Sequence, residues 1–267
     1  MASILNNVGA IFAQRNLAQA QSGLNNTINK LSTGLRINKA SDDAAGLQIS
    51  NNLRADIKIL NQARRNANDG IGRIATMDGV LDEATNLLTR AATLAEQAKS
   101  GTTTTAGRTA LNAEFTEIKA ALDALDSDTK YDGQAVFGAS FDIAVGEAAS
   151  ESLTIASVDT DSTTLAVTGT LTSSALAQTA LGQITTAIET ISANRGTLGA
   201  KEQRLNTIIN SLGITAENVT AAESQIRDAD IASEVVNLTK FQILSQTGVS
   251  ALAQANQSSQ SVLALLG

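Results

Sequence analysis

The sequence predicts a mainly α fold: a long antiparallel helical bundle or coiled coil with a small β-hairpin region at its outer end. Three observations carry this. The 267 residues include no proline, where average usage of about 5% would give roughly a dozen. Two long segments keep an apolar heptad over many turns. Between them lies a stretch where Thr, Ser, Gly and Asp accumulate and the periodicity stops. An interior proline costs a helix about 3 kcal/mol, so its absence fits long uninterrupted helices.

Ser41 or Asp42 can cap the first long helix, which runs to about Ala98. Steps of four and three from Leu53 pass through Ile57, Leu60, Arg64, Ala67, Ile71, Ile74, Asp78, Leu81, Thr85, Leu88, Ala92 and Ala95. Gly101 and the threonines after it end this pattern, and a shorter helix is expected from about Arg108 to Leu125. Short alternating patches at Phe141–Val145 and Leu153–Ile155 read as β-hairpin strands that cap the far end of the bundle. The second heptad runs through Ala177, Leu181, Ile184, Ile188, Ile191, Arg195, Leu198, Glu202, Leu205, Ile209, Leu212, Ala216 and Val219. A period near 3.5 held this long puts one apolar stripe along a helix and calls for a helical partner. The economical arrangement pairs the two stripes with each other. Gly46, Gly70, Gly72 and Gly79 lie inside the first long helix. Each costs up to about 1 kcal/mol against alanine, so close packing or a bend must offset it.

Composition removes several function classes. Without His or Cys, zinc sites, haem ligation, Cys nucleophiles and His-based triads have no residues to form them. No EF-hand loop occurs, and no metal or cofactor is expected. Residues 1–73 carry nine Lys/Arg against four Asp/Glu, and the remainder ten against twenty-two. Such asymmetry suits packing between halves or subunits better than nucleic acid, since no basic run interleaves with aromatics. No apolar run approaches a membrane span of about 20 residues. The amino terminus lacks the charged and apolar regions of a cleavable secretory signal.

The ends are unusual. Met1–Gln14 and Phe241–Gly267 hold no charged residue. Both still place apolar side chains at helical spacing: Ile4, Val8 and Ile11, then Val249 and Leu252, with Val262 and Leu265 further on. A solvated helix normally carries a charged face. Here the other faces are Gln, Asn, Ser and Ala, which suits burial among protein surfaces and points to self-assembly.

Arg36–Ser50 reads RINKASDDAAGLQIS, and Asn66–Ile71 reads NANDGI; Ala229 onward gives ADIASEVVNLTKFQILSQ, then SALAQANQ and VLALLG. These motifs resemble the amino- and carboxy-terminal halves of bacterial flagellins, in order and over nearly the whole chain. The resemblance implies a structural subunit, not an enzyme, that polymerises into the extracellular flagellar filament used for swimming. It implies segments at 1–43 (inner-core helix), 44–130 (outer-core helical half), 131–175 (short variable region), 176–228 (second outer-core half) and 229–267 (inner-core helix). The implied partners are further copies of itself, the flagellar export apparatus and its chaperone, and the hook-associated and filament cap proteins. Export would proceed without a cleavable signal. A hook–filament junction protein of the same architecture, or a coiled-coil signalling or adhesin module, is the alternative; the latter would have charged, independently soluble ends.

Two motifs invite sharper readings. Gly70–Ala75 matches a loose GxGxxA dinucleotide fingerprint, but the preceding Gln62–Asp69 is polar and helix-like, where such a loop needs a buried strand. Leu88–Gln97 resembles the stretch by which some flagellins are recognised by a vertebrate Toll-like receptor. Arg90, Leu94 and Glu114 match that family pattern, while Ala92 and Thr93 depart from it. The plainer expectation is an ion pair between Arg90 and Glu114, with Leu94 packed between helices.

Overall fold

The computed structural model describes residues 7–146 and 151–264, with side chains to residue 258. Its helices are α1 (Val8–Thr33), α2 (Ala44–Lys99), α3 (Thr105–Asp128), α4 (Ser174–Arg227) and α5 (Ile231–Ala264). Two antiparallel hairpins, β1 (Lys130–Tyr131) with β2 (Gln134–Ala135) and β3 (Phe141–Ala144) with β4 (Ser152–Ile155), separate α3 from α4. The chain divides into two compact units, residues 56–217 and residues 1–55 with 218–267.

In the 56–217 unit, α2 and α4 run antiparallel. Ser174 Oγ donates to the Lys99 carbonyl at one end. Further along, Arg195 binds Asp78 at 2.7 Å and Asp82 at 2.7 Å. Between these points the pairing advances residue for residue. Alpha3 returns alongside α2, Arg108 Nε donating to the Ala98 carbonyl and Arg90 pairing with Glu114. Residues 156–173 then run back along α3: Asp126 accepts from the Thr160 N–H, Asp123 from the Ser162 N–H, and Asn112 from the Leu171 N–H. This irregular segment buries Val158, Leu165, Val167 and Leu171 in the common core. Lacking helical or strand periodicity, it could not be read in advance.

The buried stripe of α2 differs from the expected one at alternate positions. Leu60, Ile74, Leu81 and Leu88 are buried, but the intervening places belong to Ala63, Met77, Ala84, Ala91 and Ala98, with Gly70 among them. Ile71 is half-buried, and so are Leu53 and Ile57. In α4, Ile184, Ile191, Leu198, Leu205 and Leu212 are buried, while Ala180 and Ala187 take the places expected of Leu181 and Ile188; Ile188 and Ile209 are half-buried. The seam therefore alternates large with small side chains. The Arg64, Asp78 and Thr85 interruptions noted in the sequence fall beside the seam, and one of them, Asp78, is the partner of Arg195.

The hairpins also sit elsewhere than expected. They pack against the side of α2, not over the end where Lys99 meets Ser174. Ile143 fills the space left by the missing side chain at Gly70, and the Tyr131 hydroxyl lies over Gly72. The Arg73 guanidinium stacks 3.9 Å from the Phe141 ring centre and donates to the Ala135 carbonyl. Asn66 Nδ2 donates to the Ala144 carbonyl, and Lys201 Nζ to that of Thr154. The two helix-interior glycines are thus docking notches for the hairpins, which also disposes of the nucleotide-loop resemblance. Asp132 and Gly133 both have positive φ, 51° and 76°, the type I′ geometry of a two-residue hairpin turn.

In the other unit, α1 and α5 are antiparallel and closely packed. The Phe241 ring occupies the notch at Gly23, and Leu17 lies against Gly248. Lys30 Nζ pairs with Glu234 at 3.4 Å, and Asn7 Nδ2 donates to the Ala255 carbonyl at 3.0 Å. Gly34, at φ 71°, ends α1, and a bridge between Leu35 and Asp228 follows. The cap of α2 is Asp43, whose Oδ1 accepts from the Gly46 N–H at 2.9 Å. Asp42 is not the cap because its carboxylate closes the preceding turn, accepting from the N–H groups of Lys39 and Asn38. Those bonds, Lys39 first, hold its pKa below the ordinary carboxylate value. Asp230 caps α5 through the Ala232 N–H.

Replacing Gly70 by Val should destabilise the 56–217 unit by about 1–3 kcal/mol, because Ile143 must leave its seat. Urea unfolding of the free chain checks this; an unchanged midpoint would show that the hairpin does not depend on the notch.

Candidate assembly surface

The α1–α5 pair meets through small residues at helical spacing, with Phe241 and Leu17 seated against Gly23 and Gly248. Ala20 and Thr27 are the buried residues of α1. Ala13, Ala20, Gly248 and Ala251 border an open groove of about 480 Å³ between the two helices. Small facing residues let the backbones approach, but they remove little apolar surface from water. Apart from Leu17 and Phe241, which sit against Gly248 and Gly23, many of the large apolar side chains lie outside the pairing. Ile11 is 59% and Val236 67% exposed, and Val8, Phe12, Val235, Ile243, Leu244 and Val249 are exposed as well. Val235, Val236, Ile243 and Leu244 line a second, mostly apolar depression on α5.

Charge is nearly absent here. Arg15 is the only charged residue before Lys30, and Lys240 the only one after Glu234. The Arg15 guanidinium rests 5.1 Å from the Phe12 ring centre. An apolar face with only Arg15 and Lys240 as charges, on a helix pair with little buried side chain, is a surface prepared for other protein.

Of the assembly residues expected from sequence, Val8, Ile11 and Val249 are on this exposed face. Leu252 is half-buried. Ile4 and Leu265 lie outside the described residues, as does the Val262 side chain. Val235 and Val236 were missed because the charge-free window opens only at Phe241, and Phe12, Ile243 and Leu244, inside the charge-free windows, are omitted from the expected row; the helical spacing from Val235 onward was the available signal.

The other candidate patch splits. Arg90 and Glu114 are exposed and joined, Nη2 to Oε1 at 2.7 Å. Leu94 is 2% exposed and belongs to the core, so it presents no surface. Among the described residues no cluster of three or more acidic side chains is arranged to hold a metal ion. No helix among them is long and apolar enough to cross a membrane.

Residues 4–142 match the bacterial flagellin N-terminal helical region, and residues 181–266 match the bacterial flagellin C-terminal helical region. The chain belongs to the bacterial flagellin family. It is 37% identical over 284 aligned residues to the flagellar filament 33 kDa core protein of Treponema phagedenis, covering 98% of this chain and 99% of that one. With a flagellin of Halalkalibacterium halodurans it shares 38% identity over 270 residues, again 98% and 99%. The crystal structure of Bacillus cereus flagellin superposes with a TM-score of 0.51 at 27% identity, covering 60% of this chain and 94% of that one. Both helix-rich halves of this flagellin thus match the family, and residues 143–180 fall between the two matched regions.

Because α1 and α5 bury so little, their amides should exchange with solvent well before those of α2 and α4 within residues 56–217 in the free chain. Hydrogen-exchange mass spectrometry checks this, and equal protection in both units would contradict the burial argument.

Proposed function

We propose that this flagellin polymerises through the uncharged α1–α5 face, as the structural subunit of a flagellar filament. The observation that carries this is the row of exposed apolar side chains from Val8 to Phe12 and from Val235 to Val249, in a chain whose two matched halves are flagellin's. Each such side chain contributes about 1.5–3 kcal/mol when fully buried. Seating several per copy adds to the helix hydrogen bonds and the α1–α5 packing, which together oppose the entropy of fixing two helices, roughly 1–2 kcal/mol per residue for backbone alone. Assembly and ordering of α1 and α5 are therefore coupled. A contact that joins one patch to a different patch on the next copy extends into a helical polymer.

The family implies the rest of the reading. The chain is exported by the flagellar apparatus with a chaperone. In the extracellular filament it meets hook-associated and cap proteins, and it performs no catalysis. A hook–filament junction role shares the architecture; seed elongation into long filaments separates the two. A soluble signalling or adhesin coiled coil is disfavoured by ends that carry Arg15 and Lys240 as their sole charges.

Electron microscopy of purified chain added to filament seeds tests the proposal directly. Val236→Asp should leave the circular dichroism of the free chain unchanged and slow elongation about tenfold or more, since a buried unpaired carboxylate is strongly unfavourable. Normal elongation by this variant would remove α5 from the interface.

A receptor contact of the Toll-like class, if made, rests on Arg90 and Glu114 alone, because Leu94 is buried. The receptor must compete with Glu114 for the guanidinium, so Arg90→Ala should lower stimulation of reporter cells by the free chain severalfold. Equal stimulation by the correctly folded variant would refute it.

A further inference from the structure

The chain contains the Asp-Gly pairs Asp69-Gly70, Asp78-Gly79 and Asp132-Gly133, and no Asn-Gly. In such a pair the aspartate carboxyl carbon can close a five-membered ring onto the next backbone nitrogen, and glycine has no Cβ to obstruct the approach. Backbone conformation decides whether the two groups meet. Asp69 and Asp78 lie inside α2, where a ψ of about −42° points the next nitrogen away from the carboxyl carbon. The glycine N–H groups there belong to the helix ladder. The Asp78 carboxylate is also held by Arg195 Nε at 2.7 Å.

Asp132 and Gly133 form the β1–β2 turn instead, and both are exposed. The Asp132 carboxyl has no hydrogen-bond or ion-pair partner among the described residues. The strands on either side are two residues each, so little holds the turn to one form. The Asp132 φ of 51° is shared by both two-residue hairpin turns, types I′ and II′. They differ by a flip of the central peptide plane, which carries ψ of the first residue to about −120° and reverses the sign of φ only at the second. That second residue is Gly133, which adopts either sign. At the flipped ψ the Gly133 nitrogen eclipses the Asp132 Cβ, the arrangement that ring closure through Cγ requires. The hairpin thus reaches the reactive geometry by one peptide flip, whereas the two helical pairs must first unwind.

We infer that Asp132-Gly133 is a self-modifying site at which aspartate converts slowly to isoaspartate. The Gly133 nitrogen attacks Cγ of the protonated Asp132 carboxyl. The new N–Cγ bond forms as the carboxyl hydroxyl leaves with the amide proton as water, giving a succinimide. Water then opens the ring. Breaking the N–Cγ bond restores aspartate; breaking the bond from nitrogen to the original main-chain carbonyl leaves the chain running through Cβ and Cγ. One water leaves and one enters, so no other reactant is needed. The isoaspartyl main chain is one atom longer within the turn, which no longer closes the register of Tyr131 with Gln134 and Lys130 with Ala135. The Tyr131 hydroxyl is drawn from Gly72, and the Ala135 carbonyl from Arg73. Isomerisation at this one residue therefore loosens the β1–β2 hairpin from α2.

The test keeps the full chain in neutral buffer made with heavy-oxygen water. Each ring opening leaves a heavy oxygen on the residue, which peptide mass spectrometry locates, and an isoaspartyl methyltransferase identifies the isomerised product. Position 132 should gain label about tenfold or more faster than positions 69 and 78, and within about threefold of a synthetic peptide of residues 127–138, because no helix must open first. Asp132→Glu, whose ring would have six members, should melt normally and lose the label at that position. In the isomerised fraction the Val136 N–H, which donates to the Thr129 carbonyl at 3.1 Å, should exchange faster than in unmodified chain. Labelling at 132 no faster than at 69 and 78, or far behind the free peptide, would overturn the site by showing that the turn keeps the two groups apart. Unchanged Val136 exchange in the isomerised fraction would overturn the loosening of the hairpin.

Discussion

The antiparallel pairing of α2 with α4 organises the larger unit, and it depends on side-chain size as much as on hydrophobicity. Leucines and isoleucines at every seventh place would hold two helices together in many registers. Alternating them with Ala63, Ala67, Ala84, Ala91 and Ala98 on α2, and with Ala180 and Ala187 on α4, shapes the seam into steps. Arg195 then joins Asp78 and Asp82, two carboxylates four residues apart on one helix. The ion pairs are partly exposed, so their contribution to stability is modest. Their effect is on register: a slip by one heptad leaves the guanidinium beside Thr85 or Ile71. Everything laid against the pair, from α3 to the hairpins, depends on that register being single.

Small residues perform a different task in each unit. On α2, Gly70 and Gly72 receive Ile143 and Tyr131, tying the hairpins to one level of the helix. On α1, Gly23 receives Phe241, and Gly248 on α5 receives Leu17. In the first case the inserted side chain completes a core. In the second it draws two helices together while Ile11, Phe12, Val236 and Ile243 remain in water. The same device yields a finished interior in residues 56–217 and an unfinished one in the α1–α5 pair.

Much of this was legible in the sequence because long helices leave strong periodic signals. The approximate extents of α2, α3 and α4, the β3–β4 strands and the uncharged ends could be read from spacing and composition, while the cap of α2 is Asp43 and not Ser41 or Asp42. The errors share a cause: attention to large apolar residues. Taking Ile71 and Ile188 for seam positions overlooks that Gly70 and Ala187 sit there, because small residues carry little weight in a hydrophobic pattern yet permit the closest approach. Asp132-Gly133 is a strong hairpin signal, but its flanking strands are two residues each, too short for alternation to appear. Residues 156–173 take their conformation from Asp123, Asp126 and Asn112 on another element, so no local pattern encodes it. For the site, the motif resemblance placed Leu94 on a surface, and the plainer expectation that it packs between helices is the one the structure meets.

The seam between β3 and β4 has a structural consequence of its own. The Val145 N–H donates to the Glu151 carbonyl at 3.0 Å, continuing the ladder beyond the strands. Val145 and Glu151 are therefore held side by side by the hairpin itself. Lengthening the connection adds closure entropy only as the logarithm of its length, about 0.6 kcal/mol per doubling. A longer connection at that position therefore leaves the α2–α4 pairing undisturbed.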